Sequence, residues 1–271
     1  MIWKVLILIK FLRKLNAFFE KDVKIALTYK FNLLLQFIWF SFISIIIFYT
    51  FMEPNNIDSN INYFHVFVSL ASIDFMLSSL NVFSREVRIA QTTGTFEGVL
   101  ITNTSPLTII LSSYARTFFR SIIRAMVYFL VCKFFFFDSL SLYNVFFLLI
   151  TLVYFSIPFL ALGLISASFI IVFKVGDVTN FIISIFSIFF SGIFFSTESL
   201  PSIYQNLGII NPINAYIQFS KFLLQDSFIF ENYIAYFKIM FLEIIILFPL
   251  GVFLINYAFY VSKKSGSLSQ Y

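Results

Sequence analysis

Apolar runs of about 20 residues, rich in Phe, Ile and Leu, recur along this chain, and they settle which solvent it folds in. As helices, runs of that length match the hydrocarbon thickness of a bilayer. The rest of the sequence cannot clothe a water-facing surface. Only 11% of its 271 residues are Asp, Glu, Lys or Arg, where a soluble domain carries about 25%. The chain is therefore expected to be an all-α polytopic membrane protein.

Composition also removes several function classes. One cysteine, Cys132, excludes an internal disulfide and a cysteine-built metal site. One histidine, His65, excludes a histidine cluster. The formal charge of +5 does not imply a nucleic-acid partner, because the basic residues are arranged for membrane orientation.

Residues 1–30 are apolar but interrupted. Lys10, Arg13, Lys14, Lys21 and Lys24 recur at helical spacing among Trp3, Leu6, Phe11, Leu15 and Phe18, the pattern of a basic amphipathic helix lying in the membrane interface. A signal peptide is the competing reading. The apolar run before Lys10 is short for one, and no small-residue cleavage site follows. The remaining chain, 31–271, is expected to form one six-span domain, with transmembrane helices at 31–52, 62–83, 107–137, 143–173, 178–197 and 233–261. The third and fourth exceed what a bilayer needs, so they tilt or project into the cytosol, and Pro158 and Gly163 are candidate kink sites in the fourth.

Placing the N-terminus inside puts 15 of the 18 Lys and Arg residues on the cytosolic side and leaves only Lys133, Lys221 and Lys238 outside. That asymmetry obeys the positive-inside rule and predicts a multi-pass protein of the cell membrane with both termini cytosolic. Arg116, Arg120 and Arg124 line one face of the third helix at i, i+4, i+8. The expected reading is a helix extended into the cytosol, with snorkelling to phosphates as the alternative.

Between spans two and three lies the polar, glycine-containing stretch 85–106. Charges (Arg85, Glu86, Arg88) precede a turn-prone Thr92-Thr93-Gly94-Thr95. A short helix is expected next, with Gly94 or Thr95 as N-cap and Glu97 in its first turn. Phe96, Val99 and Leu100 then share a face. Ser105-Pro106 is an N-cap with proline at N1, so a new helix begins there. A small apolar knob on a polar loop suits either internal packing or docking of a soluble partner.

Between spans five and six, Leu200-Pro201 opens an apolar segment that Asn211-Pro212 breaks and that turns helical again over 219–224. Two short helices dipping into the outer leaflet fit this better than another span.

No G-x-x-x-x-G-K-[ST], H-E-x-x-H or G-x-S-x-G occurs, so neither a nucleotide-cradling loop nor a hydrolase site is indicated. Asp74 and Glu243 are the acids well inside spans. Each is a candidate for the substrate pathway, or bonds a Ser, Thr or Asn on a neighbouring helix.

The layout resembles the ABC type-2 permease family, the membrane subunits of ATP-driven exporters. Arg88…Gly94-Thr95-Phe96-Glu97-Gly98-Val99-Leu100…Ser105-Pro106 is similar to the family's cytosolic E-x-G-T-L-E-x-L-L-x-[ST]-P stretch, with Phe96 replacing a leucine and Gln91 standing where an acid is common. Ser191-Gly192-Ile193-Phe194-Phe195…Leu200-Pro201…Asn211-Pro212-Ile213-Asn214-Ala215 resembles its outer hairpin. The span order and the N-terminal basic helix match as well.

The resemblance implies a transport subunit that is not itself an enzyme and binds no cofactor. ATP and Mg would be used by two separate ATPase subunits. The expected partners are those ATPases, a second permease copy or close homologue, and membrane lipids. The loop between spans two and three would be a coupling helix built from Gly94, Thr95, Phe96, Glu97, Val99 and Leu100, and the later hairpin would be re-entrant. The motif wording leans to drug- and lipid-exporting members. A polysaccharide-exporting permease and a stand-alone secondary transporter or channel are the alternatives. The latter would predict charge-lined or interrupted spans and internal repeats, and a membrane-embedded enzyme would need catalytic constellations that are missing.

Overall fold

The computed structural model describes residues 59–94, 106–136, 141–173, 178–193, 201–222 and 231–264, and seven isolated helical positions between 20 and 42. All regular structure among the described residues is helical. Seven helices follow in order: α1 (Ser59–Thr92), α2 (Pro106–Phe136), α3 (Leu142–Phe173), α4 (Val178–Phe189), α5 (Ser202–Ile210), α6 (Pro212–Phe222) and α7 (Glu231–Lys264). Among the described residues, Phe64–Thr92, Leu142–Phe173 and Ile234–Lys264 are long and apolar enough to cross a membrane. Helix α2 is 31 residues long but carries Arg116, Arg120 and Arg124 along its middle.

Helix α3 is the centre of the bundle, with α1 packed along one side and α7 along another, while α2 lies mainly against α1. Its composition explains the position. Phe155 and Phe159 face one cluster with Phe64, Phe75 and Met76 of α1 and with Tyr216 and Phe219 of α6. Leu160, Leu164 and Ile171 face another with Val82 and Phe83 of α1 and Ile255 and Phe259 of α7. A helix that is apolar all round is at home inside a bundle. In lipid this packing replaces tail contacts with closer protein contacts, so fit rather than dehydration holds the helices together. Gly163 shows how close the fit is. A Cβ there would lie 2.5 Å from the Leu80 carbonyl oxygen and 3.1 Å from that of Ser79. The glycine considered as a kink site is thus a crossing point of two backbones, and Pro158 is accommodated inside an unbroken α3.

Several boundaries differ from expectation. Helix α1 continues to Thr92, so Arg85, Glu86 and Arg88 sit on a helix rather than in the connecting loop. Gly94, with φ +64°, closes α1 in the left-handed conformation, its N–H donating to the Gln91 carbonyl at 3.2 Å. It therefore ends one helix instead of opening the next. Helix α4 ends at Phe189 after 12 residues, about 18 Å, and turns at 190–192, short of the span expected over 178–197. Six crossings are therefore not all visible in the described residues.

The start of α2 at Pro106 and the pair of short helices α5 and α6 agree with the sequence signals. Asn211 caps α6: its side-chain oxygen accepts from the Ile213 N–H at 3.1 Å, with Pro212 at N1. Its amide also donates to the Ser187 carbonyl at 2.6 Å, tying α6 to α4. Helix α6 is thus helical from Pro212, well before 219. Buried Tyr216 donates to the Leu148 carbonyl at 3.0 Å and fastens it to α3.

Candidate functional site

Polar groups buried among apolar helices are costly, so where they gather is informative. Among the described residues, two cavities carry such groups, a charged cleft between α1 and α2 and an apolar cavity beside α7.

The cleft follows from two stripes that meet. On α1, Asp74, Ser78, Asn81 and Arg85 recur at spacings of four, three and four, which is one helical face. On α2, Thr117, Arg120 and Arg124 form the answering face. Arg124 donates through Nε to Asp74 Oδ2 at 2.6 Å and through Nη2 to Ser78 and Ser121, both at 2.9 Å. Nearer the loop, Arg116 pairs with Glu86. Asn81 accepts from the Asn180 amide at 2.8 Å, which brings α4 to the same edge. Beside the Asp74–Arg124 pair the helices leave a cleft of about 450 Å³, lined by that pair together with Arg85 and Arg120.

The arginine face is thus an interface with α1. Two of its three members are held by carboxylates of α1. Asp74 is likewise bound to arginine rather than to the Ser, Thr or Asn expected as its structural partner. The signal that would have shown this is the matched α1 stripe, legible only once α1 and α2 are known to pair face to face.

The second place is a cavity of about 620 Å³ among α3, α4, α5, α6 and α7, walled by Phe159, Phe186, Leu207 and Ile246. Glu243 is its lone ionisable wall residue, and its Oε1 is buried with no hydrogen-bond partner. The size and the apolar wall with one polar anchor are those of a small-molecule pocket. Asp74 and Glu243 thus belong to different cavities, and the structure does not bring them into one site.

Of the proposed coupling residues, Gly94 lies in an exposed turn. Thr95, Phe96, Glu97, Val99 and Leu100 lie outside the described residues. No cluster of His, Cys, Asp and Glu able to hold a metal is found among the described residues.

Residues 14–221 match the membrane family described as ABC-2 type transporter, a stretch that contains the 85–106 connection, the charged cleft and the α5–α6 pair. No curated protein and no solved structure matches the chain.

Proposed function

Because the chain belongs to the ABC-2 type transporter family, we propose that it is the permease subunit of an ATP-driven exporter that moves a hydrophobic, drug-like or lipid-linked substrate outward. The observation that carries this is the family match over 14–221, supported by an all-helical bundle around α3 and by a sequence without a P-loop of its own. Energy then has to enter from a partner. Two soluble ATPase subunits, which themselves use ATP and Mg, bind the cytosolic side at the coupling segment 94–100.

In this reading the chain crosses the cell membrane six times with both termini cytosolic, as its Lys and Arg distribution favours. The α5–α6 pair is a re-entrant hairpin on the outer side. The isolated helical positions Phe31, Leu35, Ile38 and Phe42 are exposed, as are Phe181, Ile185 and Phe189 of α4. Such faces suit lipid or a second permease copy, and a dimer closes a substrate path that one copy leaves open. The cavity at Glu243 serves as a waypoint for an apolar substrate, and Asp74 acts through Arg124 to shape the α1–α2 cleft.

The test is co-expression with a candidate P-loop ATPase, purification by a tag on the permease, and reconstitution into vesicles. Two permeases and two ATPases are expected by mass, with substrate movement that stops when ATP is omitted. Full transport by the permease without any ATPase would overturn the exporter reading. Full activity from a complex containing a single permease would overturn the dimer.

A further inference from the structure

Among the described residues, the cleft between α1 and α2 and its rim hold more guanidinium groups than carboxylates. The Arg120 guanidinium has those of Arg116, Arg124 and Arg85 as like-charged neighbours, and two carboxylates, of Asp74 and Glu86, meet this group of four. Those carboxylates are taken by Arg124 and Arg116. Among the described residues, Arg120 and Arg85 meet no acid, and both line the cleft. Arg120 is only partly exposed, with three like charges as neighbours. An arginine so placed is stable when an anion completes it.

The donors are of the right kind. Guanidinium groups bind phosphate through two parallel N–H bonds. The buried Thr117 hydroxyl and the Ser78 hydroxyl stand in the same wall. The cleft, at about 450 Å³, admits a phosphate with its ester carbon chain leading out between the helices.

The length of α2 agrees with such a ligand. Helix α2 is 31 residues, about 46 Å long, against a hydrocarbon layer of about 30 Å. If its Phe136 end is level with one face of that layer, the other face falls about 20 residues back, beside Arg116 and Thr117. Arg120 then lies one turn inside, within reach of the phosphate belt.

We propose that the α1–α2 cleft is a binding site for a phosphate oxyanion, held by Arg120 and Arg85, with the phosphate monoester headgroup of a lipid as the form that fits its depth and surplus charge. The site rests on the membrane placement of α1 and α2, not on the transport reading, because binding needs neither ATP nor an ATPase.

Purified full-length chain in neutral detergent is titrated with short-chain phosphatidic acid, phosphatidylcholine of equal chain length, or inorganic phosphate, and bound ligand is counted by native mass spectrometry. Phosphatidic acid is expected to bind at least tenfold more tightly than phosphatidylcholine. Arg120→Gln lowers that affinity tenfold or more, Arg120→Lys lowers it only a few-fold because charge persists while the fork is lost, and Lys263→Gln leaves it unchanged. Displacement of the lipid by millimolar inorganic phosphate identifies a free oxyanion as a sufficient ligand, and failure to displace identifies the lipid. Equal binding of phosphatidylcholine, or wild-type affinity in Arg120→Gln, overturns the site. Where Arg120→Gln is not recovered folded, Arg85→Gln at the exposed rim decides: a threefold or greater loss supports the site, and unchanged affinity overturns it.

Discussion

Replacing Asp74 by asparagine should destabilise the bundle without touching the cavity at Glu243. The change preserves shape but removes the charge that meets Arg124 at 2.6 Å. The two side chains are 20% and 11% exposed, so screening by water is modest and the behaviour is that of a buried pair. At an effective dielectric of about 20, unit charges about 4 Å apart attract by about 4 kcal/mol. Breaking a buried pair from one side costs about 3–5 kcal/mol, because the other charge is stranded. Arg124 keeps its bonds to Ser78 and Ser121, which places the expected loss at the low end, about 3 kcal/mol. On the scale of water-soluble chains of comparable length this lowers the melting temperature by about 6–12 °C. Arg124→Gln should cost a similar amount, whereas the double variant, with no stranded charge, should recover most of the loss. A double-mutant cycle on thermal unfolding in detergent measures the coupling. Additive single effects, or an Asp74→Asn protein of wild-type stability that has lost transport, would refute the ion-pair role and return Asp74 to the substrate pathway.

Three further outcomes are expected. Gly163→Leu should prevent recovery of folded protein, since even a Cβ meets the Leu80 carbonyl at 2.5 Å; a normal gel-filtration peak and melting curve would show that α1 and α3 are not locked there. Phe96→Ala and Glu97→Ala should leave the permease abundant while weakening ATPase recovery in pull-downs by about tenfold, as burial of one aromatic side chain implies about 1.5–3 kcal/mol; normal ATPase binding with lost thermal stability would make the segment structural instead. In a Cys132→Ser background, cysteines at the exposed positions Thr93 and Asn206 should label from opposite sides of the membrane; labelling of both from outside intact cells would contradict the topology.

The chain by itself determined its solvent, its secondary-structure class and most helix starts. Those depend on local properties: apolar run length for the membrane, and proline and asparagine chemistry for the breaks at Pro106 and Asn211-Pro212. The family was legible in the same way, because its motifs are short and lie in connections. The roles of the polar residues inside the bundle were not, since each depends on what faces it across tens of residues of sequence. Asp74 lies 50 residues from Arg124, and nothing local distinguishes a carboxylate bound to an arginine from one lining a path. Arg116, Arg120 and Arg124 form one stripe in the sequence, yet pairing with α1 gives two of them carboxylates and leaves the middle one facing a cleft. Gly163 is a kink site by local sequence alone, and only the α1 backbone beside it makes it a crossing point. Separating Asp74 and Glu243 into two cavities likewise took the tertiary packing, because the sequence marks both only as acids in apolar helices, while helix crossing decides which neighbours each one meets.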